Sequence, residues 1–317
     1  MARFYRIAKR PLTFSVVALL LACCCGPAHA QVAVAEPNTA IETPPPVSPT
    51  AVTPKKEENS DPIEFARVSK EGERPLALQT AVATYAKPGD TDGVTVTLIG
   101  AVHIADPEYY QKLNQLFSTF DALLYEMVSD PDAGVPLPEE RGASPVSTIQ
   151  VGMKDALDMT FQLDEVDYQA KNFVHADMSP KEFFDSMNSR KEGVLKMLLR
   201  SMGASIAMQS SGKSNDMELL AAMVSGDTLR ARRAFAEQME QMDWQMAALS
   251  GEDGKSTLIT ERNAKAFQIL DREIKAGKKK IGIFYGAGHL KDMDQRLRED
   301  YRMKRTETTW LDAWKLN

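Results

Sequence analysis

The sequence predicts an α/β protein built on a mixed, largely parallel β-sheet that is flanked by helices. Two apolar runs rich in β-branched residues, 94–100 and 279–285, each lead into a Gly-x-x-His motif. The first run is followed by a helical pattern and then by another short apolar run. Strand, helix and strand in this order are typical of a βαβ unit, whose strands are parallel and buried.

The predicted folded domain covers residues 63–317 and follows a proline-rich linker, residues 31–62, which lacks a periodic apolar face and is expected to be disordered. A first strand is expected over residues 76–85, where apolar and polar residues alternate loosely. The turn sequence of residues 88–93 connects it to the strand over 94–100, so the two strands are expected to form a hairpin.

A helix is expected after the first Gly-x-x-His motif. Asp106 is the predicted N-cap, and Pro107 occupies the first helical position. The apolar face of this helix consists of Tyr110, Leu113, Leu116 and Phe117. The next predicted strand covers residues 122–128 and is mostly apolar, with one carboxylate, Glu126, inside it.

The middle of the domain, about residues 145–250, carries apolar residues at helical spacing. This pattern predicts a helical insert between the two Gly-x-x-His halves. Residues 179–182 (Ser-Pro-Lys-Glu) combine a capping box with proline at the first helical position. Methionine is frequent in this insert, at positions 197, 202, 208, 217, 223, 239, 242 and 246. The methionines form either an adaptable apolar groove for a peptide or, in the interpretation we favour, ordinary core.

The last third returns to alternating helices and strands. Residues 256–275 predict an amphipathic helix that Gly277 closes, and residues 279–285 predict a strand. A helix over residues 290–300 and a final strand around residues 304–311 complete the predicted domain.

The N-terminus predicts export from the cytoplasm. Residues 1–30 combine a basic start, an apolar run over residues 12–22 and a small-x-small cleavage site, so we expect a signal peptide that is cleaved after Ala30 and a periplasmic or secreted protein. An alternative is a lipoprotein signal at residues 20–23, in which a lipidated Cys23 would associate the protein with a membrane.

The composition of the mature chain excludes several classes of protein. All three cysteines lie within residues 1–30, so cleavage leaves no disulfide and no cysteine-ligated metal. Four of the 38 basic residues and none of the 44 acidic residues lie in that segment, which gives the mature chain a net charge of −10. With no basic stripe to neutralise phosphates, nucleic acid is not an expected partner.

Histidine is rare and unevenly placed in the mature chain, which holds only His103, His175 and His289. Two of the three follow a strand and a glycine. The C-terminal ends of parallel strands meet at one edge of a sheet, and ligands bind outside that edge. If the strands are neighbours, His103, Glu126 and His289 converge there. Two imidazoles and a carboxylate are the ligands of many catalytic metal sites, in which a divalent ion activates water.

Glu126 needs a partner because an unpaired buried carboxylate costs several kcal/mol. The partner is expected to be a metal ion, an arginine or a protonated histidine. Arg262 lies beside the apolar stripe of the helix over residues 256–275, and Asn263 lies within that stripe. Arg262 is expected either to stabilise an oxyanion or substrate carboxylate, or to form a salt bridge with Glu126 or a surface acid. His175 has no repeated context and is expected to be mainly structural, with support of a ligand side chain as the alternative.

These motifs, in this order and at this spacing, resemble the TraB/PrgY/GumN family, which includes the TIKI proteins. The matching pieces are residues 98–103 (Leu-Ile-Gly-Ala-Val-His), Glu126, the Arg262-Asn263 pair and residues 286–290 (Gly-Ala-Gly-His-Leu). The resemblance covers about residues 75–315. It implies an erythromycin-esterase/ChaN-like fold and, by similarity to the TIKI proteins, metal-dependent hydrolysis of peptide bonds.

Carried over to this chain, the resemblance implies that His103, Glu126 and His289 form the metal or catalytic set and that Arg262 supports it. The leading hypothesis is an exported hydrolase with a divalent ion (Mn, Zn or Co) that acts on a peptide or small-molecule substrate. Similarity to erythromycin esterases suggests a metal-free alternative with His103 as general base. A third hypothesis is a non-enzymatic envelope protein that binds a peptide or a haem-like ligand.

Overall fold

The computed structural model describes residues 63–89, 93–131, 133, 157–192, 221–222, 225–239 and 254–317. The predicted signal peptide, the predicted linker and most of the methionine-rich segment lie outside these ranges. Within them, no helix combines the length and the apolar character that a membrane crossing requires.

Within the described ranges the chain forms nine strands and six α-helices. The strands are β1 (Ala66–Glu71), β2 (Arg74–Ala86), β3 (Thr95–Ala101), β4 (Ile104–Ala105), β5 (Ala122–Tyr125), β6 (Thr160–Phe161), β7 (Phe173–His175), β8 (Lys280–Gly286) and β9 (Lys304–Lys315). The helices are α1 (Pro107–Phe117), α2 (Gln162–Glu165), α3 (Pro180–Ser189), α4 (Thr228–Met239), α5 (Arg262–Lys275) and α6 (Leu290–Glu299).

Seven of the described strands form one mixed sheet in the order β1-β2-β3-β8-β5-β7, and β9 also pairs with β2. β3, β8, β5 and β7 are parallel neighbours, whereas β1 and β9 are antiparallel to β2 and the predicted β2–β3 hairpin is present. The predicted class, an α/β fold with a mixed, mostly parallel sheet, is therefore confirmed. The predicted β3–α1–β5 unit has parallel strands, but β8 lies between them, because local patterns do not specify which strands become neighbours.

Helices cover both faces of the parallel strands, which explains why these strands are continuously apolar. α1 and α4 pack against the face that carries Ile99 and Phe284. α5 and α6 pack against the face that carries Leu98 and Ile283. All four of these side chains are buried, and burial of a side chain of this size contributes about 1.5–3 kcal/mol.

The predicted starts of α1 and α3 are confirmed. Ser179 and Glu182 form the capping box of α3, with Glu182 N donating to Ser179 Oγ at 3.2 Å and Ser179 N donating to Glu182 Oε2 at 2.8 Å. Asp106 is the N-cap of α1, but its side chain does not cap the helix. Its carboxylate instead accepts bonds from Arg232 Nη1 at 2.9 Å and from Lys315 N at 2.7 Å, which ties α1 to α4 and β9.

The middle of the domain is not wholly helical, which corrects the predicted insert. Its described residues contain β6 and β7 as well as α2, α3 and α4. β7 has only three residues, too few to show the two-residue period of a strand, and it exists because its backbone pairs with β5 from Phe173 to His175.

β1, at the start of the sheet, was not predicted either, and β9 continues beyond residue 311 to Lys315. Strands that depend on a neighbour leave little signal in their own sequence.

Candidate functional site

The C-terminal ends of β3, β8, β5 and β7 form one edge of the sheet, and the predicted site residues follow these ends. His103 comes two residues after β3, and His289 comes three residues after β8. Glu126 is the first residue after β5 rather than a residue inside the strand, although its N–H still donates to Phe284 O at 3.2 Å. His175 is the last residue of β7, and Asp177 follows it closely.

Glu126 is a mostly buried carboxylate, with 11% of its side chain exposed. Its Oε2 accepts the backbone N–H of Gly286 at 2.7 Å, and its Oε1 accepts a bond from Arg262 Nη2 at 2.7 Å. Burial raises the pKa of Glu126, but His289, Arg262, His103 and the Gly286 N–H outweigh it and lower the pKa to about 2. Glu126 is therefore ionised at neutral pH. Its cationic partner among the described residues is Arg262, and an arginine was one of the three partners expected for it.

Arg262 joins two buried carboxylates and is itself only 1% exposed. Besides its bond to Glu126, Nε donates to Asp177 Oδ1 at 2.9 Å and Nη2 donates to Asp177 Oδ2 at 2.5 Å. Of the two expected roles of Arg262, the salt bridge with Glu126 is present. Asp177 was not predicted as a site residue, because the three-residue strand β7 that precedes it is too short to be recognised from its own sequence.

A π-helical turn sets the position of Arg262. The predicted single helix over residues 256–275 is divided into this turn, Thr257–Glu261, and α5, which begins at Arg262. Ser256 caps the turn, because its Oγ accepts the N–H of Ile259 at 3.2 Å. A π-turn rotates the following residues relative to a continuous α-helix, and such turns are frequent at functional sites. Arg262 and Asn263 are thereby both buried and aimed at the C-terminal edge.

Asn263 determines which nitrogen of His289 carries the proton. Asn263 Nδ2 donates to two acceptors, His289 O at 3.0 Å and Asp292 Oδ2 at 2.8 Å, which fixes the orientation of the amide. Asn263 Oδ1 then lies 2.7 Å from His289 Nδ1 and can only accept. Nδ1 of His289 must therefore be protonated. Since burial lowers the pKa of His289 to about 4, the ring is neutral at pH 7 and Nε2 carries a lone pair.

That lone pair faces the carboxylate of Glu126. His289 Nε2 lies 3.5 Å from Glu126 Oε1, and both side chains are largely buried. Two acceptors at this separation repel each other unless a proton or a metal ion lies between them. This pair of atoms is the chemically unusual feature of the site.

His103 is held at the same edge chiefly through its backbone. Tyr110 Oη donates to Val102 O at 2.9 Å, and the N–H of Gln162 donates to His103 O at 2.9 Å. The His103 side chain is partly exposed. Burial lowers the pKa of its imidazole, Glu126 raises it and Arg262 lowers it, so the ring lies within electrostatic range of both residues.

His175 binds the backbone that follows Glu126. Its Nε2 lies 2.7 Å from Met127 O and 3.3 Å from Ser129 Oγ, and its ring makes an edge-on contact with Tyr125 at 5.7 Å between centroids. A carbonyl accepts only, so Nε2 of His175 is protonated. This contact matches the structural role that was expected of His175.

The donors at this edge do not by themselves form a complete set of metal ligands. Within the described ranges, no three His, Cys, Asp or Glu side chains are arranged to hold a metal ion by themselves. The charges of Glu126, Asp177 and Arg262 leave one negative charge when both site histidines are neutral.

Scans of protein-family models, curated sequences and solved structures found no match to this chain.

Proposed function

We propose that this protein is an exported, divalent-metal-dependent hydrolase whose site lies at the C-terminal edge of the parallel strands. Glu126 and His289 would bind the ion, and His103 would complete the ligand set. The observation that carries the proposal is the 3.5 Å separation of His289 Nε2 and Glu126 Oε1, two acceptors that face each other. Ligand atoms about 2.1 Å from a tetrahedral zinc ion are roughly 3.4 Å apart, so this pair is spaced for one ion.

The charge of the cluster supports a cation. Arg262 is shared between Asp177 and Glu126, so two carboxylates and one guanidinium keep a net charge of −1 beside a neutral His289. A buried carboxylate without full compensation is unfavourable. A divalent ion would supply the missing positive charge.

The protonation of the histidines favours a ligand role over the metal-free alternative. Metal ions bind the neutral imidazole, and Asn263 holds His289 as the ligating tautomer. A general base works best with a pKa near the working pH. Burial lowers the pKa values of both His103 and His289, in the second case to about 4, so His289 is a weak base at pH 7.

A bound divalent ion would lower the pKa of a coordinated water and polarise a substrate carbonyl. The protein's own side chains hold the donors in place: Arg262 and the Gly286 N–H fix the two oxygens of Glu126, and Asn263 fixes His289. We assign to His103, which is partly exposed, the ligand position that a substrate can reach. Arg262, which is only 1% exposed and bonds both Glu126 and Asp177, is assigned the positioning of Glu126.

The resemblance to the TraB/PrgY/GumN family supplies the rest of the proposal. It supports an erythromycin-esterase/ChaN-like arrangement of the sheet and a peptide as substrate, with a small-molecule substrate as the alternative. Export rests on the N-terminal pattern of residues 1–30, and membrane association would require lipidation of Cys23.

The test is metal analysis of the mature protein, residues 31–317, after equilibration with Mn²⁺, Zn²⁺ or Co²⁺. We expect one ion per chain in the wild type and in His175→Ala, and loss of that ion in His103→Ala and His289→Ala. His175→Ala is the matched control because this histidine lies at the same edge but bonds backbone. A metal-free protein whose ester turnover is lost in His103→Ala would support the general-base alternative. Tight ligand binding without turnover would support the binding protein.

A further inference from the structure

Gln162 is placed beside His103 by a small antiparallel sheet. β4, which directly follows His103, pairs with β6, and Ile104 lies opposite Phe161. Gln162 is the next residue after β6, and its N–H donates to His103 O at 2.9 Å. The two residues are therefore neighbours through the backbone, independently of their side chains.

The side chain of Gln162 is buried, with 7% of the residue exposed, and only one end of its amide is occupied. Nε2 donates to Tyr168 Oη at 2.7 Å. Oε1 meets no donor in hydrogen-bonding geometry among the described residues. A buried acceptor without a donor is unfavourable, because it has lost its hydrogen bonds to water and gained none in the protein. Such a group in a native protein requires an explanation.

The imidazole of His103 is the available explanation. The Gln162 side chain raises the pKa of His103, which is the effect of an acceptor next to a ring N–H. Tyr168, which fixes the Nε2 end of the amide, packs edge-on against Tyr125 at 5.3 Å between centroids. Tyr125 directly precedes Glu126, so the orientation of the amide is linked to the wall of the site.

We propose that Gln162 is the positioning residue of His103: its Oε1 accepts one ring N–H and leaves the other ring nitrogen as a lone-pair donor toward the cation. This inference rests on the proposed metal site and adds a residue to it. Asn263 does the same for His289, where the amide oxygen lies 2.7 Å from Nδ1. Each site histidine is thus oriented by a carboxamide, which can accept the N–H without adding a charge next to a metal ion.

The experiment compares Gln162→Leu, Gln162→Glu and Thr160→Val in the mature protein. The ¹⁵N chemical shifts of His103 in metal-free protein report which ring nitrogen is protonated, and calorimetry with Zn²⁺ alone reports affinity. We expect Gln162→Leu to give a mixture of His103 tautomers and roughly 10–100-fold weaker zinc binding. Gln162→Glu keeps an acceptor and should keep the single tautomer. Thr160→Val is the control, since Thr160 Oγ1 is another buried oxygen without a partner among the described residues.

An unchanged His103 tautomer and zinc affinity in a folded Gln162→Leu variant would overturn the inference while leaving the metal site intact. If Gln162→Leu does not fold, Tyr168→Phe replaces it, because loss of the hydroxyl releases the Nε2 end of the amide and should also mix the tautomers. A single wild-type tautomer in Tyr168→Phe would then count against the inference. A tautomer change in a protein that binds no zinc would support the positioning role and refute the proposed function.

Discussion

Replacement of Arg262 by methionine is expected to be strongly destabilising, because it removes the guanidinium that bonds two buried carboxylates. The side chains of Asp177 and Glu126 are 0% and 11% exposed. Without Arg262, Asp177 keeps the N–H of Met178 at 2.8 Å but loses two charge-assisted bonds. Breaking a buried ion pair by removing one partner costs about 3–5 kcal/mol. For a domain of this size the midpoint of thermal unfolding should fall by roughly 10 °C.

The assay is urea unfolding followed by circular dichroism, in EDTA at pH 7.5, with Arg262→Met, Asp177→Asn and the double variant. If the loss arises from the stranded carboxylate, the double variant should regain about 1–3 kcal/mol relative to Arg262→Met. Equal m-values would show that the free energies are comparable. A loss below about 1 kcal/mol in Arg262→Met, or strictly additive losses in the double variant, would refute this account of the ion pair.

Three further predictions concern the same edge. In Gly286→Ala the new Cβ would lie 3.3 Å from Glu126 Oε2, so the bond from the residue 286 N–H should lengthen and the free energy of unfolding should fall by about 1–2 kcal/mol in urea titrations. The pKa of His289 falls from 6.5 in the unfolded chain to about 4 in the folded protein, so the unfolded chain takes up the proton first as the pH falls. The free energy of unfolding of the metal-free protein should therefore be highest above pH 6.5 and should decrease by about 3 kcal/mol toward pH 4. His289→Gln should largely remove this dependence on pH. His175→Ala should lose about 1–2 kcal/mol of stability with its bond to Met127 O. Zinc affinity by calorimetry should stay within about threefold, because this ring bonds no side chain of a proposed ligand.

The strands that carry the two Gly-x-x-His motifs could be predicted because β3 and β8 are buried on both faces and therefore read as continuous apolar runs. The ends of α1 and α3 were also predictable, since proline and capping residues act locally. β7 could not be predicted in the same way. Its three residues are ordered by pairing with β5, which is information from a distant part of the chain.

The site shows the same division between local and long-range information. The convergence of His103, Glu126 and His289 could be expected, because residues that follow parallel strands meet at one edge. The choice of Arg262 as the partner of Glu126 depends on a π-turn that helical periodicity does not distinguish from an ordinary helix. The protonation of His289 depends on the second bond of Asn263, to Asp292, which only the folded arrangement supplies.

The central claim is that His289 Nε2 and Glu126 Oε1 share one divalent cation. The most direct test is a Zn²⁺ titration of the mature protein, followed through the ring ¹⁵N resonances of His289 at pH 7. We predict that Nε2 is unprotonated in the metal-free protein and shifts on binding one equivalent of zinc, while Nδ1 stays protonated by its bond to Asn263. A protonated Nε2 in the metal-free protein, or an Nε2 resonance that does not move at saturating zinc, would contradict the claim.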